Sequence, residues 1–394
     1  MGCLKWKGFP RQDSWMSASA SRSSAKEAAA KILSGHSGGV IFDGSDFAGA
    51  SVIVGENSGC LLQGGPDDWK LLEENFAAGR ASAAGDGGMG GWIDYEGNFC
   101  FGVFPVWARG PVDFSVHSAP PRVQFSPGIS GEEWTRRVRR VHDYIAAGDI
   151  YQANLTHQLS APWHSPPGDF YPNFRGSQPP PCSAFLALGD TSVLSASPEL
   201  FLSIEGRRIM TRPIKGTRPR SADPSADAAA LRDLVGSAKE RAELIMITDL
   251  LRNDLGQVCR YGSVTVPALC VPETFPHVHH LVSTVEGELR PDVSPIAALR
   301  ACFPGGSITG APKKRATEVI AELESAPRGI YTGAIGFIDW TGLAVFSIAI
   351  RTLVIREGRA TFGVGAGIVA DSDPQIEYEE TLHKAAGLFA ALGG

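Results

Sequence analysis

The chain has 394 residues, of which 43% are hydrophobic and 20% charged, the balance of a folded globular protein with one large domain or two ordinary ones. Its formal net charge of −6 argues against nucleic acid or an anionic membrane as a partner, because both attract basic surfaces. No apolar run approaches the roughly 18 residues of a membrane span and the N-terminus has no apolar signal core, so we expect a cytoplasmic protein. The seven cysteines are scattered singly, which predicts reduced thiols.

Residues 1–125 are predicted to be rich in β structure. A Ser/Ala-rich leader runs into a short helix at SAKEAAAKIL, and the segments GGVIFDGSDFAGASVIVG and GGWIDYEGNFCFGVFPVW have strand patterns broken by turn residues. Between residues 109 and 130 the tripeptides RGP, APP and SPG interrupt regular structure. A subdomain edge is therefore expected near residue 125.

The remainder of the chain combines grouped strands with separate helices. Trp134, Val138 and Val141 repeat at helical spacing, and two further helices are predicted at SAKERAELIMITDLLRNDLG and IEYEETLHKAAGLFAALGG. The predicted strands are SAFLALGDTSVLSAS, ELFLSIEGRRIMTRP, GAIGFIDW, AVFSIAIRTLVI and RATFGVGAGIV, which meet at Gly- or Asp-containing turns as antiparallel hairpins do. SPPGDFYPNFRGSQPPP is predicted to be a loop. Strands in blocks, apart from the helices, indicate the α+β class.

Three glutamates stand out on the predicted helices. Glu243 shares a helical face with apolar residues, while Glu377, Glu380 and Lys384 fall on one face of the C-terminal helix. Paired structural glutamates, or an exposed ladder of salt bridges, would explain these patterns. Three carboxylates without histidine or thiolate neighbours are also the ligands that a hard cation such as Mg²⁺ prefers. The residues alone leave both interpretations open.

Lys215 lies in the segment TRPIKGTRPR, between Arg212 and Arg218. Neighbouring cations and burial both favour the neutral amine, which is the nucleophilic form of lysine. A solvated basic loop is the alternative interpretation of the same segment.

In chain order, ten motifs of the sequence resemble those of the chorismate-utilising enzymes, which include anthranilate synthase component I, aminodeoxychorismate synthase component I, isochorismate synthase and salicylate synthase. They are GDIYQANL, ASPELFLS, RPIKGTRPR, KERAELIMITDLLRNDLG, HHLVSTVEG, FPGGSITGAPK, RGIYTGAIGF, IAIRT, GVGAGIVADSDP and EETLHKA. The resemblance implies a β-rich N-terminal subdomain over residues 1–125 and a chorismate-binding catalytic region over 126–394. It also implies an α+β fold of two large, mostly antiparallel sheets packed face to face, with helices outside.

The resemblance assigns expected roles by motif position. Glu243 and Glu380 match ligands of Mg²⁺, with Glu377 close or acting through water, and the metal would hold the ring carboxylate of chorismate. The matches to substrate-binding positions are Tyr331, Arg351, Lys384 and the amides of Gly365 and Gly367 for the two carboxylates, with Ser307, Thr309 and Gly310 over the ring. His280 matches an active-site histidine of the family.

Three more positions bear on the reaction. Glu199 matches the general acid that protonates the departing C4 hydroxyl, although a turn carboxylate is the plain alternative. Gln152 stands where members that add water carry a lysine base, which points away from isochorismate and salicylate synthesis. Lys215 lies in PIKGT, as in aminodeoxychorismate synthases, where anthranilate synthases have alanine. The implied reaction is attack of Lys215 on C2 of chorismate, loss of the C4 hydroxyl, and addition of ammonia at C4.

A partner is expected to supply the ammonia. The sequence contains no glutaminase nucleophile motif of the type G-x-C-x-G, so the resemblance implies a separate glutamine amidotransferase subunit, or ammonia from solution. Anthranilate synthase component I is the close alternative function. A non-catalytic anion-binding module is the distant one.

Overall fold

The computed structural model describes residues 24–49, 51–56, 60–82, 86–114, 123–176 and 178–391. Within this part of the chain, strands form two antiparallel sheets of ten strands each, with helices around them. The α+β class and the two antiparallel sheets predicted from the sequence are thereby confirmed. No helix of the described part is long and apolar enough to cross a membrane.

The first sheet contains β1 (Gly39–Asp43), β2 (Val52–Glu56), β6 (Ala108–Gly110), β7 (Ser126–Pro127), β8 (Gln152–Pro162), β9 (Cys182–Leu188), β10 (Thr191–Ser197), β16 (Gly310–Ala311), β19 (Thr352–Arg356) and β20 (Arg359–Ile368). Its strand order is β16-β8-β20-β19-β10-β9-β1-β2-β6, and β7 pairs with β8. Tight hairpins join neighbours in this order. Between β19 and β20, for example, Glu357 and Gly358 both have positive φ (50° and 71°), as a type I′ turn requires.

The second sheet contains β3 (Leu61–Gly64), β4 (Gly88–Ile93), β5 (Phe99–Phe104), β11 (Leu200–Glu205), β12 (Arg208–Arg212), β13 (Ile214–Pro219), β14 (Thr265–Thr274), β15 (Val278–Glu288), β17 (Ala334–Asp339) and β18 (Ala344–Ile348). Its order is β13-β15-β12-β11-β18-β17-β4-β5-β3, with β14 paired to β15. Strands from before residue 125 therefore lie in both sheets. The subdomain boundary at residue 125 stays a prediction.

The helices are α1 (Ala25–Leu33), α2 (Ser45–Ala48), α3 (Trp69–Ser82), α4 (Gly131–Ala146), α5 (Tyr171–Arg175), α6 (Pro224–Gly236), α7 (Ala238–Gly256), α8 (Pro295–Cys302), α9 (Lys313–Leu323) and α10 (Pro374–Ala391). The helices predicted over α1, α4, α7 and α10 are confirmed. Most of the Ser/Ala-rich leader lies outside the described residues. The Pro-rich segment predicted as a loop instead forms a short 3₁₀ turn (Pro167–Phe170) and α5, because proline is tolerated in the first helical turn.

The two sheets pack against each other through alternate residues of their strands. Val40 and Phe42 of β1 meet Ile335 and Phe337 of β17 in one buried cluster, and the ring centroids of Phe42 and Phe337 are 5.2 Å apart. Period-two burial of this kind places every second side chain between the layers. The face-to-face packing predicted for the two sheets is therefore present.

Helices cover the outer faces and bring polar groups to one end of the sheets. On α7, Ile247, Leu251 and Leu255 are buried against the second sheet. Helix α10 packs on α4, where the rings of Tyr378 and Trp134 lie 6.1 Å apart. Because their apolar faces are anchored in this way, α7 and α10 can hold carboxylates at fixed positions over a shared cavity.

Candidate active site

A cavity of about 960 Å³ lies between β13, β20, α7 and α10, beside the connection from β10 to β11. It brings together most of the residues singled out in the sequence. Those that line it are Glu199, Lys215, Glu243, His280, Ser307, Tyr331, Arg351, Gly365, Gly367, Glu377, Glu380 and Lys384. They come from well-separated segments, so only the folded chain assembles them.

Three predicted site residues do not line this cavity. Gln152 is fully buried. It lies beneath the cavity wall at Gly367, because a Cβ added to Gly367 would be 2.6 Å from Gln152 Nε2 and 3.7 Å from Lys215 Nζ. The hydroxyl of Thr309 donates to backbone carbonyls of its own loop, and Gly310, at φ 152°, lies against the backbone of β8. These contacts give Thr309 and Gly310 a structural place behind the cavity wall.

Glu199 is buried in the connection between β10 and β11, with 6% of its surface exposed. Its backbone is held on both sides, because its N–H donates to Ser197 Oγ (3.2 Å) and its C=O accepts from the Ile348 N–H (3.1 Å). Burial raises the pKa of Glu199 to about 7, against the opposing influence of a hydrogen bond from Ser307 and the charge of Lys215. A carboxyl with this pKa is partly protonated near neutral pH, as a general acid must be.

Lys215 lies on β13 at a bulge, where the pairing with β15 shifts between Lys215 and Thr217. Gly216 between them has φ 71°, a conformation that suits glycine. The bulge turns Lys215 into the cavity, where its charge interacts with Glu199, Glu243 and Glu380.

The arginines that flank Lys215 differ from their predicted role. Arg212 is paired with Glu273, and Arg218 with Asp233 (2.6 Å). Their charges are therefore compensated by these carboxylates, and they do not crowd Lys215 with unpaired positive charge. Arg218 lines the same cavity as Lys215, and the other cations that line it are Arg175, Lys239, Arg351 and Lys384.

The three predicted metal ligands approach the cavity from two helices. Glu243 projects from α7, and burial raises its pKa, with nearby Glu377 contributing in the same direction. Glu377 accepts a hydrogen bond from Ser372 Oγ (2.8 Å), and Glu380 pairs with Lys384 Nζ (2.8 Å). The pKa of Glu380 falls because Lys384 and other lysines outweigh the opposing effect of burial. Among the described residues, no three His, Cys, Asp or Glu side chains form a ready metal cluster.

This donor set nevertheless fits the chemistry of Mg²⁺. The ion binds oxygen ligands, commonly uses only one or two protein carboxylates, and takes its other ligands from water or an anionic substrate. Glu243 and Glu380 provide carboxylates on opposite helices of one cavity. Mg²⁺ as a cofactor stays a proposal.

His280, Arg351 and Tyr331 complete the polar lining. The Nδ1 of His280 lies 3.0 Å from Thr217 Oγ1 and 3.2 Å from the Gly216 carbonyl, so contacts with β13 hold this side of the ring. Burial lowers the pKa of His280 and also that of Arg351. The side chain of Arg351 lines the cavity. The ring of Tyr331 lies flat on β20, where any Cβ on Gly363 would collide with it.

Several polar residues of the lining escaped the sequence analysis, Lys239 and Asn154 among them. Lys239 lines the cavity from the first turn of α7, and Asn154 lines it from β8. A lysine in the first turn is unfavourable for the helix dipole, and that anomaly is the signal that could have identified Lys239. Asn154 sits within the quoted motif GDIYQANL, but nothing in its local pattern indicates the direction of its side chain.

The sequence pattern of the family described as chorismate binding enzyme matches residues 114–390. The chain belongs to this family. The match contains every residue that lines the cavity, so the family assignment and the geometry concern the same part of the molecule.

Similar proteins in this family carry two different names. Anthranilate synthase component 1 of Streptomyces coelicolor is 45% identical over 289 residues, 73% of this chain and 55% of that protein. Aminodeoxychorismate synthase of Streptomyces griseus is 49% identical over 249 residues, 63% of this chain and 34% of that protein. The chain thus spans about half the length of the first relative and about a third of the second.

A solved structure supports the same fold. Anthranilate synthase component I from Streptococcus pneumoniae superposes with a TM-score of 0.73 at 29% identity, covering 89% of this chain and 90% of that one. The two ten-stranded antiparallel sheets of this chorismate-binding protein are therefore the architecture of a known family member.

Proposed function

We propose that this protein is the chorismate-aminating component of an aminodeoxychorismate synthase, forming 4-amino-4-deoxychorismate from chorismate and ammonia. The observation that carries the proposal is the pair formed by Lys215 and Glu199 in one cavity, close enough for their charges to interact. One group can act as nucleophile and the other as acid. Support also comes from the relative in Streptomyces griseus, whose name states this activity.

Substrate binding would use the cations and the hydroxyl on the cavity wall. Chorismate carries two carboxylates, and Arg351, Lys384 and the phenol of Tyr331 offer donors for them. Tyr331 is the buried group of the three, so water competes less for its contact than for those of Arg351 and Lys384, which are exposed.

The amination then proceeds in two steps. The neutral amine of Lys215 forms a bond to C2 and loses a proton, the two ring double bonds shift, and the C4–O bond breaks as Glu199 delivers its proton to form water. Ammonia next bonds to C4, the double bonds shift back, and the bond from C2 to Lys215 breaks. The sum is chorismate plus ammonia giving 4-amino-4-deoxychorismate plus water.

Glu243 and Glu380, with Glu377 nearby, are the residues that would hold Mg²⁺. When bound, the ion would neutralise the ring carboxylate and draw electron density away from the ring. Without it, Glu243 and Glu377 would face the anionic substrate at this end of the cavity, where Glu380 is paired with Lys384.

The ammonia would come from a separate glutamine amidotransferase subunit. Among the described cysteines, Cys100 and Cys259 are poorly suited to glutamine hydrolysis, because burial raises the pKa of each thiol to about 11. The thiolate form is the nucleophile, so these side chains are poor candidates for that role.

A second function, anthranilate synthesis, is favoured by one observation. The relative in Streptomyces coelicolor carries the name of an anthranilate synthase component and aligns over 73% of this chain. The two activities differ in the ring carbon that receives the amino group, C4 or C2. Lys215 favours the first, because an amine bonded at C2 blocks that carbon while ammonia adds at C4.

The test is to incubate the purified protein with chorismate, Mg²⁺ and ammonium, and to identify the product isomer by chromatography and mass spectrometry. We expect 4-amino-4-deoxychorismate. In the absence of ammonia, the peptide containing Lys215 should gain the mass of chorismate less water, and Lys215→Ala should remove this adduct and slow the reaction about tenfold or more.

Formation of anthranilate as the main product would support the second function. If Lys215→Ala aminates C4 at the parent rate and the parent protein forms no adduct, Lys215 is not a nucleophile and only its charge helps to position the substrate. If the parent protein does not turn over chorismate, the remaining interpretation is a non-catalytic anion-binding module.

A further inference from the structure

Arg328 lies behind the wall of the reaction cavity, between α9 and β17, with only 3% of its surface exposed. A guanidinium carries five N–H groups, and here each has an acceptor. The contacts are Nε to Glu324 Oε2 (2.7 Å), Nη1 to Ile308 O (2.9 Å) and Thr332 Oγ1 (3.3 Å), and Nη2 to Glu324 Oε1 (2.8 Å) and Asn154 O (2.5 Å).

The arginine is itself held from three directions. Its guanidinium lies 4.3 Å from the ring centroid of Tyr95, and its backbone N–H donates to Glu96 Oε1 (2.8 Å). Glu324 also accepts from the N–H and the hydroxyl of Thr156 on β8 (2.8 and 3.1 Å). Planar stacking and a bidentate carboxylate fix both the position and the orientation of the guanidinium.

Three of the acceptors belong to three different segments of the cavity wall. Asn154 lines the cavity from β8, Ile308 lines it from the loop that carries Ser307, and Thr332 follows Tyr331 in the chain. Arg328 does not itself line the cavity. Arg328 therefore connects these three segments on the side of the wall that faces away from the cavity.

We infer that Arg328 is a positioning residue of the reaction, which sets the places of Ser307 and Tyr331 relative to Glu199. Ser307 and Glu199 line the same cavity, where Ser307 opposes the rise in the pKa of Glu199, and the carbonyl directly after Ser307 in the chain is held by Arg328. The inference rests on the proposed function, because it takes Glu199 as the proton donor.

The network also explains why position 328 requires the branched guanidinium group of arginine. A lysine at this position keeps the charge but has three donors on a single nitrogen, which cannot reach three wall segments and both oxygens of Glu324. Loss of the contact to Ile308 would release the loop, and Ser307 with it.

The first measurement compares Arg328→Lys with the parent protein in the reaction of chorismate with ammonium and Mg²⁺, at constant free ammonia. We expect kcat to fall about 10- to 100-fold, the cost of a small misplacement of reacting groups. The alkaline limb of the pH profile should also move up by about 0.5–1 pH unit, because a hydrogen bond from Ser307 favours the charged form of Glu199. Lys215 and Cys182 also face Glu199, and both are unchanged in the variant.

Arg137→Lys is the matched control. Arg137 is also buried and paired, with Glu133 (2.6 Å) and Ser325 (3.0 Å), and a lysine there keeps the positive charge that Arg137 presents to Glu324. Its replacement should lower the melting temperature while kcat and the pH profile stay those of the parent. The same result for Arg328→Lys would overturn the inference.

A double-variant cycle tests the route through Ser307. Ser307→Ala alone should shift the alkaline limb upward, and adding Arg328→Lys should shift it no further. Fully additive shifts would show that Arg328 does not act through Ser307. Glu324→Gln, which keeps the shape of the acceptor, should give a weaker form of the same effects if Arg328→Lys does not fold.

Hydrogen exchange separates this inference from the proposed function, because it needs no turnover. Amides of residues 306–310 should exchange faster in Arg328→Lys than in the parent or in Arg137→Lys. Unchanged exchange there would count against the inference even in an active enzyme. Failure of the parent protein to consume chorismate would count against the proposed function alone.

Discussion

Glu199 shows how a single buried side chain ties stability to chemistry. Its carboxyl is enclosed by protein, and burial raises its pKa to about 7, from an ordinary value of 4.5. In the folded protein the proton therefore stays on over a pH range in which the unfolded chain has already lost it. Stability from this group is complete below about pH 4.5 and is lost as the pH rises towards 7.

Glu199→Gln should consequently stabilise the protein at alkaline pH and inactivate it. Each unit of pKa difference is worth about 1.4 kcal/mol, so the gain at pH 8 is expected to be about 2–3 kcal/mol. It should shrink to little at pH 4.5. Urea unfolding at several pH values measures the free energy, and kcat should fall about 100-fold or more with the loss of the acid. A stability difference independent of pH would contradict the burial argument.

Gln152 gives a second prediction at this scale. Both ends of its side-chain amide are buried without a hydrogen-bond partner among the described residues, next to Gly367 and Lys215. An unsatisfied buried polar group costs about 1–3 kcal/mol, so Gln152→Met should raise the free energy of unfolding by about 1 kcal/mol or more while lowering turnover. Gln158→Met on the same strand should instead destabilise, since Gln158 makes two hydrogen bonds to backbone carbonyls.

At the level of single residues, the sequence predicted best those positions that lie inside the quoted motifs. Twelve predicted site residues do line one cavity, although their roles stay predictions. Arg328 was missed because two of its acceptors, the carbonyls of Ile308 and Asn154, lie on other segments, and no local pattern around PRGIYTG shows them. The expected influence of Arg212 and Arg218 on Lys215 failed for a related reason: their carboxylate partners, Glu273 and Asp233, are distant in sequence.

At the scale of elements, helical periodicity predicted the carboxylates of α7 and α10 well. Helix α7 buries Leu244, Ile247 and Leu251 and presents Glu243 to the cavity, while α10 presents Glu377 and Glu380 to it. The Pro-rich segment before β9 was wrongly predicted as a loop, because proline is compatible with the first turn of α5 and the pattern was too short to show a period.

The two helices should jointly determine metal affinity. We expect Glu380→Gln to weaken Mg²⁺ binding at least about tenfold by calorimetry, since one of the two best-placed carboxylates loses its charge. Glu379→Gln is the matched control, because Glu379 bonds to Gln375 on the exposed side of the same helix. Equal Mg²⁺ affinity in both variants, together with full activity in EDTA, would exclude Glu380 as a ligand.

At the scale of the whole molecule, the sequence predicted two antiparallel sheets through resemblance but not the pairing of distant strands. Strands β1 and β4 come from the first hundred residues, yet they pair with β9 and β17 respectively. Such register depends on contacts between segments far apart in the chain, and hairpin signals inform only about neighbours. The cavity needs both sheets, so its shape could not be derived from local patterns.

We expect the purified 394-residue chain to use ammonium but not glutamine. Turnover with glutamine alone requires a reactive thiolate, and burial keeps the pKa of Cys182 and Cys302 well above the ordinary value.

With ammonium, the rate should rise with pH as free ammonia increases. When divided by the concentration of free ammonia, it should fall above about pH 7, roughly tenfold per pH unit, because Glu199 must be protonated to deliver its proton. Adding a glutaminase subunit should restore the use of glutamine without moving this alkaline limb. Efficient glutamine use by the purified chain would show that the ammonia source has been misassigned. An alkaline limb that is absent from the parent, or one that persists unchanged in the residual activity of Glu199→Gln, would show that the acid has been misassigned.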